Sequence, residues 1–200
     1  MIRSLTTFVA TTLLATSAIS ATVGEAAPAF SGTDVLTGKT ITNDTLKGKI
    51  AVLEWNNFQC PFVKKFYGSG TMQKLQAAAV KDGVVWVSVN SSAEGKEGNL
   101  KDAAAAKAAI AEHKSNASHY LLDQDGMIGH AYGAKSTPTM VVIDKDGKLA
   151  YEGAIDSIPS PYVEDITKAE NYVTAAIAAL KAGKPIKTTS TQAYGCFVKY

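Results

Sequence analysis

The sequence predicts an α/β fold in which helices flank a mixed parallel and antiparallel sheet. Two uninterrupted apolar runs, residues 50–58 and 83–90, are typical of strands buried on both faces, as in parallel sheets. A helix-like segment follows each run and suits the crossover that parallel strands require. Two later apolar runs, residues 137–144 and 148–155, are joined by a Lys-Asp-Gly turn, which predicts an antiparallel hairpin.

The first residues have the pattern of a secretory signal peptide. Arg3 gives a short basic start, an uncharged apolar stretch follows, and small residues allow cleavage near Ser20 or Ala21. The stretch is short and rich in Thr and Ser for a membrane span, although an uncleaved anchor is the alternative. We therefore expect residues 1–21 to direct export to a secreted or periplasmic location, with no membrane attachment after cleavage.

The first half of the mature chain alternates strands with helical segments. Residues 22–35 are small and polar and suit an extended lead-in. Residues 36–49 contain Thr-Ile-Thr between glycine turns and predict a short hairpin strand with a polar connection. Helical spacing begins at Pro61 and is interrupted near Gly68-Ser69-Gly70, and residues 91–100 form a loop after the second buried strand.

The second half adds an alanine-rich helix over residues 101–114 and a short strand at 119–123. A short helix or turn over 126–134 then leads into the hairpin. The closing helix is predicted over residues 164–183, ended by glycine with Pro185 just beyond. No repeat or linker divides the chain, so we expect one domain over residues 22–183, followed by a tail, residues 184–200, that carries Cys196.

Charge and composition exclude several classes of function. The 200 residues contain 20 Lys and Arg and 18 Asp and Glu. Removing residues 1–21 removes the only arginine, which leaves 20 − 1 = 19 lysines against 18 acidic residues. No basic face is evident, so nucleic acid is not expected as a partner. The three histidines share no ligand spacing with the cysteines, so neither a metal nor another cofactor is expected.

Cys60 lies between a predicted buried strand and a predicted helix start, with Pro61 suited to the first helical position. The helix dipole and unpaired N–H groups at such a position favour thiolate. A free thiol has a pKa of about 8.5 and is only a few per cent thiolate at pH 7, so this position gives Cys60 a reason to be reactive. The alternative is a small buried apolar side chain.

Two longer patterns bear a family resemblance. Residues 24–66 contain "GEAAPAF", "GKTI", "LKGKIAVLEW" and "CPFVKKF", and residues 132–156 read "YGAKSTPTMVVIDKDGKLAYEGAID". These patterns resemble the redoxin group of the thioredoxin superfamily and, more closely, its peroxiredoxin-like (AhpC/TSA-related) proteins. The resemblance covers residues 24–183 and implies a thioredoxin-like three-layer sandwich.

The resemblance also implies roles for individual residues. Cys60 falls at the nucleophilic cysteine, and Thr137-Pro138 falls at the loop where thioredoxin folds place a cis-proline facing the active-site sulfur. That loop is expected to dock a thiol-bearing substrate; a strand-edge proline is the alternative. Glu54 matches a buried acid expected to have a raised pKa and to relay protons; an acid turned to the sheet edge is its alternative.

The chain departs from the active-site motifs of both thioredoxins and peroxiredoxins. Val63 replaces the second cysteine of a thioredoxin motif. Leu53 and Asn57 stand where peroxiredoxins have proline and threonine. The mature chain also lacks the arginine that positions peroxide in peroxiredoxins, and a lysine has no planar fork to replace it. These departures argue against fast peroxidase activity.

Cys196 allows three interpretations. It could be a resolving thiol that bridges to Cys60 during turnover, half of a permanent bridge, or a free thiol that can pair with another chain.

Three hypotheses for the function of the protein follow. The first is an exported thiol oxidoreductase acting on a thiol- or disulfide-bearing protein or small molecule, with an external thiol reductant. The second is a slow thiol peroxidase with an antioxidant role. The third is a non-catalytic binding module with a structural disulfide.

Overall fold

The computed structural model describes residues 21–200. The strands, in chain order, are β1 (Ser31–Thr33), β2 (Thr40–Thr42), β3 (Ala51–Trp55), β4 (Val85–Asn90), β5 (His119–Leu122), β6 (Ser136–Thr137), β7 (Thr139–Ile143), β8 (Leu149–Gly153) and β9 (Cys196–Phe197). The helices are α1 (Asn43–Leu46), α2 (Pro61–Gly68), α3 (Thr71–Lys81), α4 (Ala103–Glu112), α5 (Met127–Ala131) and α6 (Tyr172–Lys181), with a 3₁₀ turn at Val163–Asp165.

Five strands form the central sheet in the order β5-β4-β3-β7-β8. Strand β3 pairs in parallel with β4 and antiparallel with β7, while β5 extends the parallel side and β8 the antiparallel side. All five residues of β3 are buried, as its uninterrupted apolar run predicts. The sheet confirms the predicted mixed α/β architecture.

Each face of the sheet carries its own apolar core. Alternate side chains of β3 point to opposite faces, so Val52 joins one cluster and Leu53 the other. Side chains from α2, α3, α4 and α6 cover the first face. The second face is covered by α1, α5 and residues from the β1–β2 hairpin. The result is the three-layer sandwich that the resemblance implied, with Cys60 in the core of the first face.

The predicted helix interruption is present. Helix α2 ends at Gly68 and α3 begins at Thr71, with Gly70 in the left-handed region at φ 74°. Only glycine adopts that conformation without cost, so the chain turns here and two short helices replace one long helix.

The predicted closing helix, residues 164–183, is wrong over its first part, because helix α6 begins only at Tyr172. The Asn171 side chain accepts a hydrogen bond from the backbone N–H of Thr174 at 2.8 Å and caps the helix. The backbone N–H of Tyr172 donates to Ile155 O at 3.0 Å, which ties the preceding segment to the end of the hairpin. The local cap by Asn171 and the tertiary bond to Ile155 together start the helix at Tyr172, against the helical propensity of residues 164–171.

The tail does not extend into solvent. The backbone N–H of Glu152 donates to Thr189 O, and that of Thr191 donates to Glu152 O, so the tail first runs along the edge of β8. It then reaches strand β6, where β9 pairs with it. The predicted signal peptide falls on residues 1–21, of which 1–20 lie outside the described residues. No helix within residues 21–200 has both the length and the apolarity to cross a membrane.

Candidate functional site

Cys60 occupies the N-cap position of α2, and Pro61 takes the first helical position. The Cys60 carbonyl accepts hydrogen bonds from the backbone N–H groups of Val63 and Lys64 at 3.0 and 2.9 Å. The sulfur therefore sits at the positive end of the α2 dipole, as predicted. The residue is completely buried, so no solvent reaches the sulfur directly.

The Thr137–Pro138 loop meets Cys60 from the opposite side. The Cys60 thiol donates a hydrogen bond to the Thr137 carbonyl at 3.1 Å, across 77 positions of sequence. The Thr137–Pro138 peptide bond is cis. The structure thus brings together the cysteine and the loop that the resemblance paired.

Cys196 lies against the same loop. Strand β9 pairs antiparallel with β6, and this register sets Cys196 opposite Thr137 and Phe197 opposite Ser136. Cys196 is half-buried, and both cysteines are free thiols. Gly195 makes this approach possible: at φ 134° an added Cβ would lie 1.9 Å from Thr137 O. The tail therefore covers Cys60 with a second sulfur.

The pKa values of the two thiols are shifted in opposite directions. Burial acts to raise the pKa of Cys60, but hydrogen bonds from the Cys196 thiol, the Thr137 hydroxyl and the backbone outweigh it, so its pKa lies below the ordinary thiol value. Burial, the hydrogen bond to Cys60 and the charge of Cys60 raise the pKa of Cys196 to about 12. Of the two, Cys60 is therefore the thiol that loses its proton at the lower pH.

A polar cluster beside the thiols was not predicted from the sequence. Lys65 of α2 is fully buried and forms an ion pair with Asp156, with Nζ 3.3 Å from Oδ2. The Tyr194 hydroxyl donates a hydrogen bond to the other oxygen of Asp156. The sequence signal for this cluster is the proximity of Tyr194 to Cys196.

The far end of the tail is anchored separately. The Tyr200 hydroxyl donates to Ala134 O at 2.6 Å, and its ring stacks on His130 with centroids 4.0 Å apart. Gly126 and Gly129 leave room for this side chain, because a Cβ on either would come within 2.6 Å of a Tyr200 side-chain atom. The body of the protein is therefore shaped to receive the tail.

Glu54 is completely buried on β3. Its carboxylate accepts five hydrogen bonds, from the side chains of Asn56, Tyr67, Gln76, Trp86 and Ser88. Burial and this carboxylate raise the pKa of Tyr67 well above its ordinary value. Within the described chain, the Glu54 carboxylate forms no hydrogen bond to either cysteine. Its acceptor positions are filled by structural donors, so the proton relay expected of Glu54 stays a prediction.

An open cavity of about 780 Å³ lies beside β9 and is lined by Gly195 and Phe197, together with Ser136, Lys135 and Glu152. Phe197 is 77% exposed. Burial raises the pKa of Glu152.

Residues 21–200 contain no group of three His, Cys, Asp or Glu residues arranged to hold a metal ion. Within this part of the chain, the adjacent thiols carry the clearest chemistry.

Comparison with known proteins agrees with this site. The Redoxin family model matches residues 22–173. The chain belongs to the Redoxin family. This match confirms the predicted resemblance to redoxins, and it ends before the tail that carries Cys196. The comparison with curated proteins gave no match.

Two solved structures share the fold over 90% of the chain, and a third shares it over 66%. An uncharacterized conserved protein from Geobacillus kaustophilus is 26% identical, with a TM-score of 0.73 over 90% of this chain and 92% of that one. A hypothetical protein from Sinorhizobium meliloti 1021 is 23% identical, with a TM-score of 0.72 over 90% and 94%. A Chlorobium tepidum protein described as a thiol:disulfide interchange protein DsbE is 22% identical, with a TM-score of 0.52 over 66% and 84%. These likenesses establish a thioredoxin-like fold.

Proposed function

We propose that this redoxin is an exported thiol oxidoreductase in which Cys60 and Cys196 alternate between two thiols and one disulfide. The observation that carries the proposal is the strand pairing that sets Cys196 opposite Thr137, whose carbonyl accepts a hydrogen bond from the Cys60 thiol. Two thiols this close in a folded chain need little movement to bridge, which favours the intramolecular reaction over reaction with a second molecule. Export rests on the predicted signal peptide, and N-terminal sequencing of the exported protein checks it.

The first step uses the acidity of Cys60. Its thiolate attacks one sulfur of a substrate disulfide; a bond forms between Cys60 and that sulfur, and the other substrate sulfur leaves as thiolate and takes a proton. The substrate is a disulfide-bearing protein or small molecule. Strand β9 must lift for this step, because it covers Cys60 and lies on Thr137. Thr137 and Pro138 then dock the substrate in place of the tail.

The second step uses Cys196. Once Cys60 is held in a mixed disulfide it carries no negative charge, so one cause of the raised Cys196 pKa disappears. Cys196 loses its proton and attacks the Cys60 sulfur; the Cys60–Cys196 bond forms and the reduced substrate leaves. The substrate disulfide has then gained two electrons and the protein dithiol has lost two.

An external dithiol reductant closes the cycle. The more exposed sulfur of the bridge is that of Cys196, and the better leaving group is Cys60, since a thiol of lower pKa leaves faster. The reductant therefore attacks Cys196 and releases Cys60 as thiolate. A second thiol of the reductant then frees Cys196, and the reductant departs as a disulfide.

The test uses oxidised glutathione as substrate and intact mass after alkylation as the readout. The wild type is expected to form the internal bridge, Cys196→Ser to retain glutathione on Cys60, and Cys60→Ser to react no faster than an ordinary exposed thiol. A bridge that resists dithiothreitol until the protein unfolds would favour the binding module with a structural disulfide. Rapid bridging by stoichiometric hydrogen peroxide, without turnover of glutathione, would favour the peroxidase.

A further inference from the structure

A buried ion pair lies beside the thiols and takes no part in the steps above. The side chains of Lys65 and Asp156 are 0% and 3% exposed, with Nζ and Oδ2 3.3 Å apart. Lys65 also donates to Ile158 O at 3.4 Å. Taking two charges out of water costs about as much as their attraction returns, and apolar replacements are often at least as stable. Net stability therefore does not account for this pair.

The Asp156 carboxylate joins two parts of the chain. Oδ2 accepts from Lys65 on α2, the helix that follows Cys60, and Oδ1 accepts from the Tyr194 hydroxyl on the tail. Lys65 Nζ also lies 5.9 Å from the centroid of the Tyr194 ring, and the Phe62 ring packs edge-on against that ring at 5.7 Å. The cluster thus ties the helix of Cys60 to the segment that carries Cys196.

Tyr194 is two residues from Cys196, with a bend at Gly195 between them. The Tyr194 ring packs on Phe62 of α2, and Cys196 packs against the same core cluster, which contains Cys60. Gly195, between them, has no room to move toward β6, because its backbone already lies against Thr137 O. Holding Tyr194 therefore also limits where Cys196 can lie.

We propose that Lys65, Asp156 and Tyr194 form a latch that positions Cys196 against Cys60 and sets how readily the two sulfurs bridge. The inference rests on the proposed function, since it concerns the same thiol pair. A free tail must lose conformational entropy each time it brings Cys196 to Cys60. A latched tail has already lost that entropy in the reduced protein, so the effective concentration of Cys196 at Cys60 is higher.

Tyr194→Phe in the full-length protein tests the latch, because it removes one hydroxyl and keeps the ring that packs on Phe62. The equilibrium between bridged and reduced protein is measured in dithiothreitol buffers, and the Cys60 thiolate is titrated by its ultraviolet absorbance. Losing a hydrogen bond to a buried carboxylate is expected to lower the bridging constant about five- to tenfold. The pKa of Cys60 is expected to move up toward the ordinary thiol value, because Cys196 donates to it less often.

Tyr162→Phe is the matched control, since Tyr162 is 61% exposed and its hydroxyl makes no hydrogen bond within residues 21–200. It is expected to leave both readouts unchanged. A Tyr194→Phe protein with a lower melting temperature but unchanged bridging and Cys60 titration would show a merely structural contact and overturn the latch alone. A wild type that never bridges would overturn both the latch and the proposed function.

Discussion

Cys60 lies at the start of helix α2, next to the central sheet, whereas Cys196 lies on a two-residue strand near the end of the tail. The first sulfur is completely buried and has a lowered pKa; the second is half-buried and has a raised pKa. The sulfur with the lower pKa is thus the shielded one, and the more exposed sulfur has the higher pKa. In the proposed function, this division would keep Cys60 from reacting with thiols other than its substrate.

The largest effect is expected from Gly195→Ala, which breaks the contact between the two regions. A Cβ at residue 195 meets the Thr137 carbonyl, and the backbone angle there suits glycine alone. Strand β9 must then leave β6, and the bridging constant in dithiothreitol buffers should fall on the order of a hundredfold, or about 2.7 kcal/mol.

Gly183→Ala is the control for that change, because Gly183 also has a positive φ but an added Cβ there meets nothing within 4 Å. It should cost stability by backbone strain, about 1 kcal/mol, and leave bridging unchanged. Equal bridging in the two variants would mean that β9 does not govern the meeting of the thiols.

Glu54→Gln tests the central sheet, to which the Cys60 region belongs. The new amide group points an N–H₂ at donors such as Trp86, whose Nε1 lies 2.7 Å from Oε2. The free energy of unfolding in urea should fall by about 2 kcal/mol. Glu152→Gln, at a carboxylate without a hydrogen-bond partner in the described chain, should change it little. A loss of substrate turnover with full stability would instead support the proton role predicted for Glu54.

The pH dependence of stability should separate the two thiols. Cys60 has a lowered pKa in the folded state, so its contribution is present above the unfolded pKa and is lost as pH falls through the folded pKa. Cys196 has a raised pKa, so its contribution is present below the unfolded pKa and is lost as pH rises toward about 12.

Urea unfolding from about pH 6 to about pH 10 measures both contributions. Cys60→Ala should flatten the rise of stability below the ordinary thiol pKa. Cys196→Ala should flatten the fall above it. Profiles that coincide with that of the wild type would show that the thiols do not interact in solution.

The smallest effect is expected from Tyr200→Phe, at the far end of the tail. It removes the hydrogen bond to Ala134 O but keeps the ring stacked on His130. We expect a loss of about 0.5–1 kcal/mol of stability and less than a twofold change in bridging. A larger change in bridging than that from Tyr194→Phe would move control of the tail from the latch to its end.

The sequence was sufficient to predict the mixed sheet, because uninterrupted apolar runs such as 50–58 are typical of strands covered on both faces. It also pointed to Cys60, since a strand end followed by Cys-Pro is a local pattern. It misplaced the start of helix α6, where bonds to Ile155 and the cap by Asn171 override local propensity. It left the partner of Cys196 open among three readings.

The placement of Cys196 on the Thr137–Pro138 loop, beside Cys60, depends on contacts between segments that are distant in the sequence. Lys65 and Asp156 lie 91 positions apart, and Asp156 and Tyr194 lie 38 apart. From the sequence alone, a lysine on a helix is predicted to be exposed to solvent. Lys65 is buried because the loop of Asp156 and the tail segment of Tyr194 pack over it. Burial and hydrogen-bond partners are set by such distant segments, whereas strand and helix patterns are set by neighbours in the chain. For this reason Cys60 could be singled out from the sequence, and its proposed latch could not.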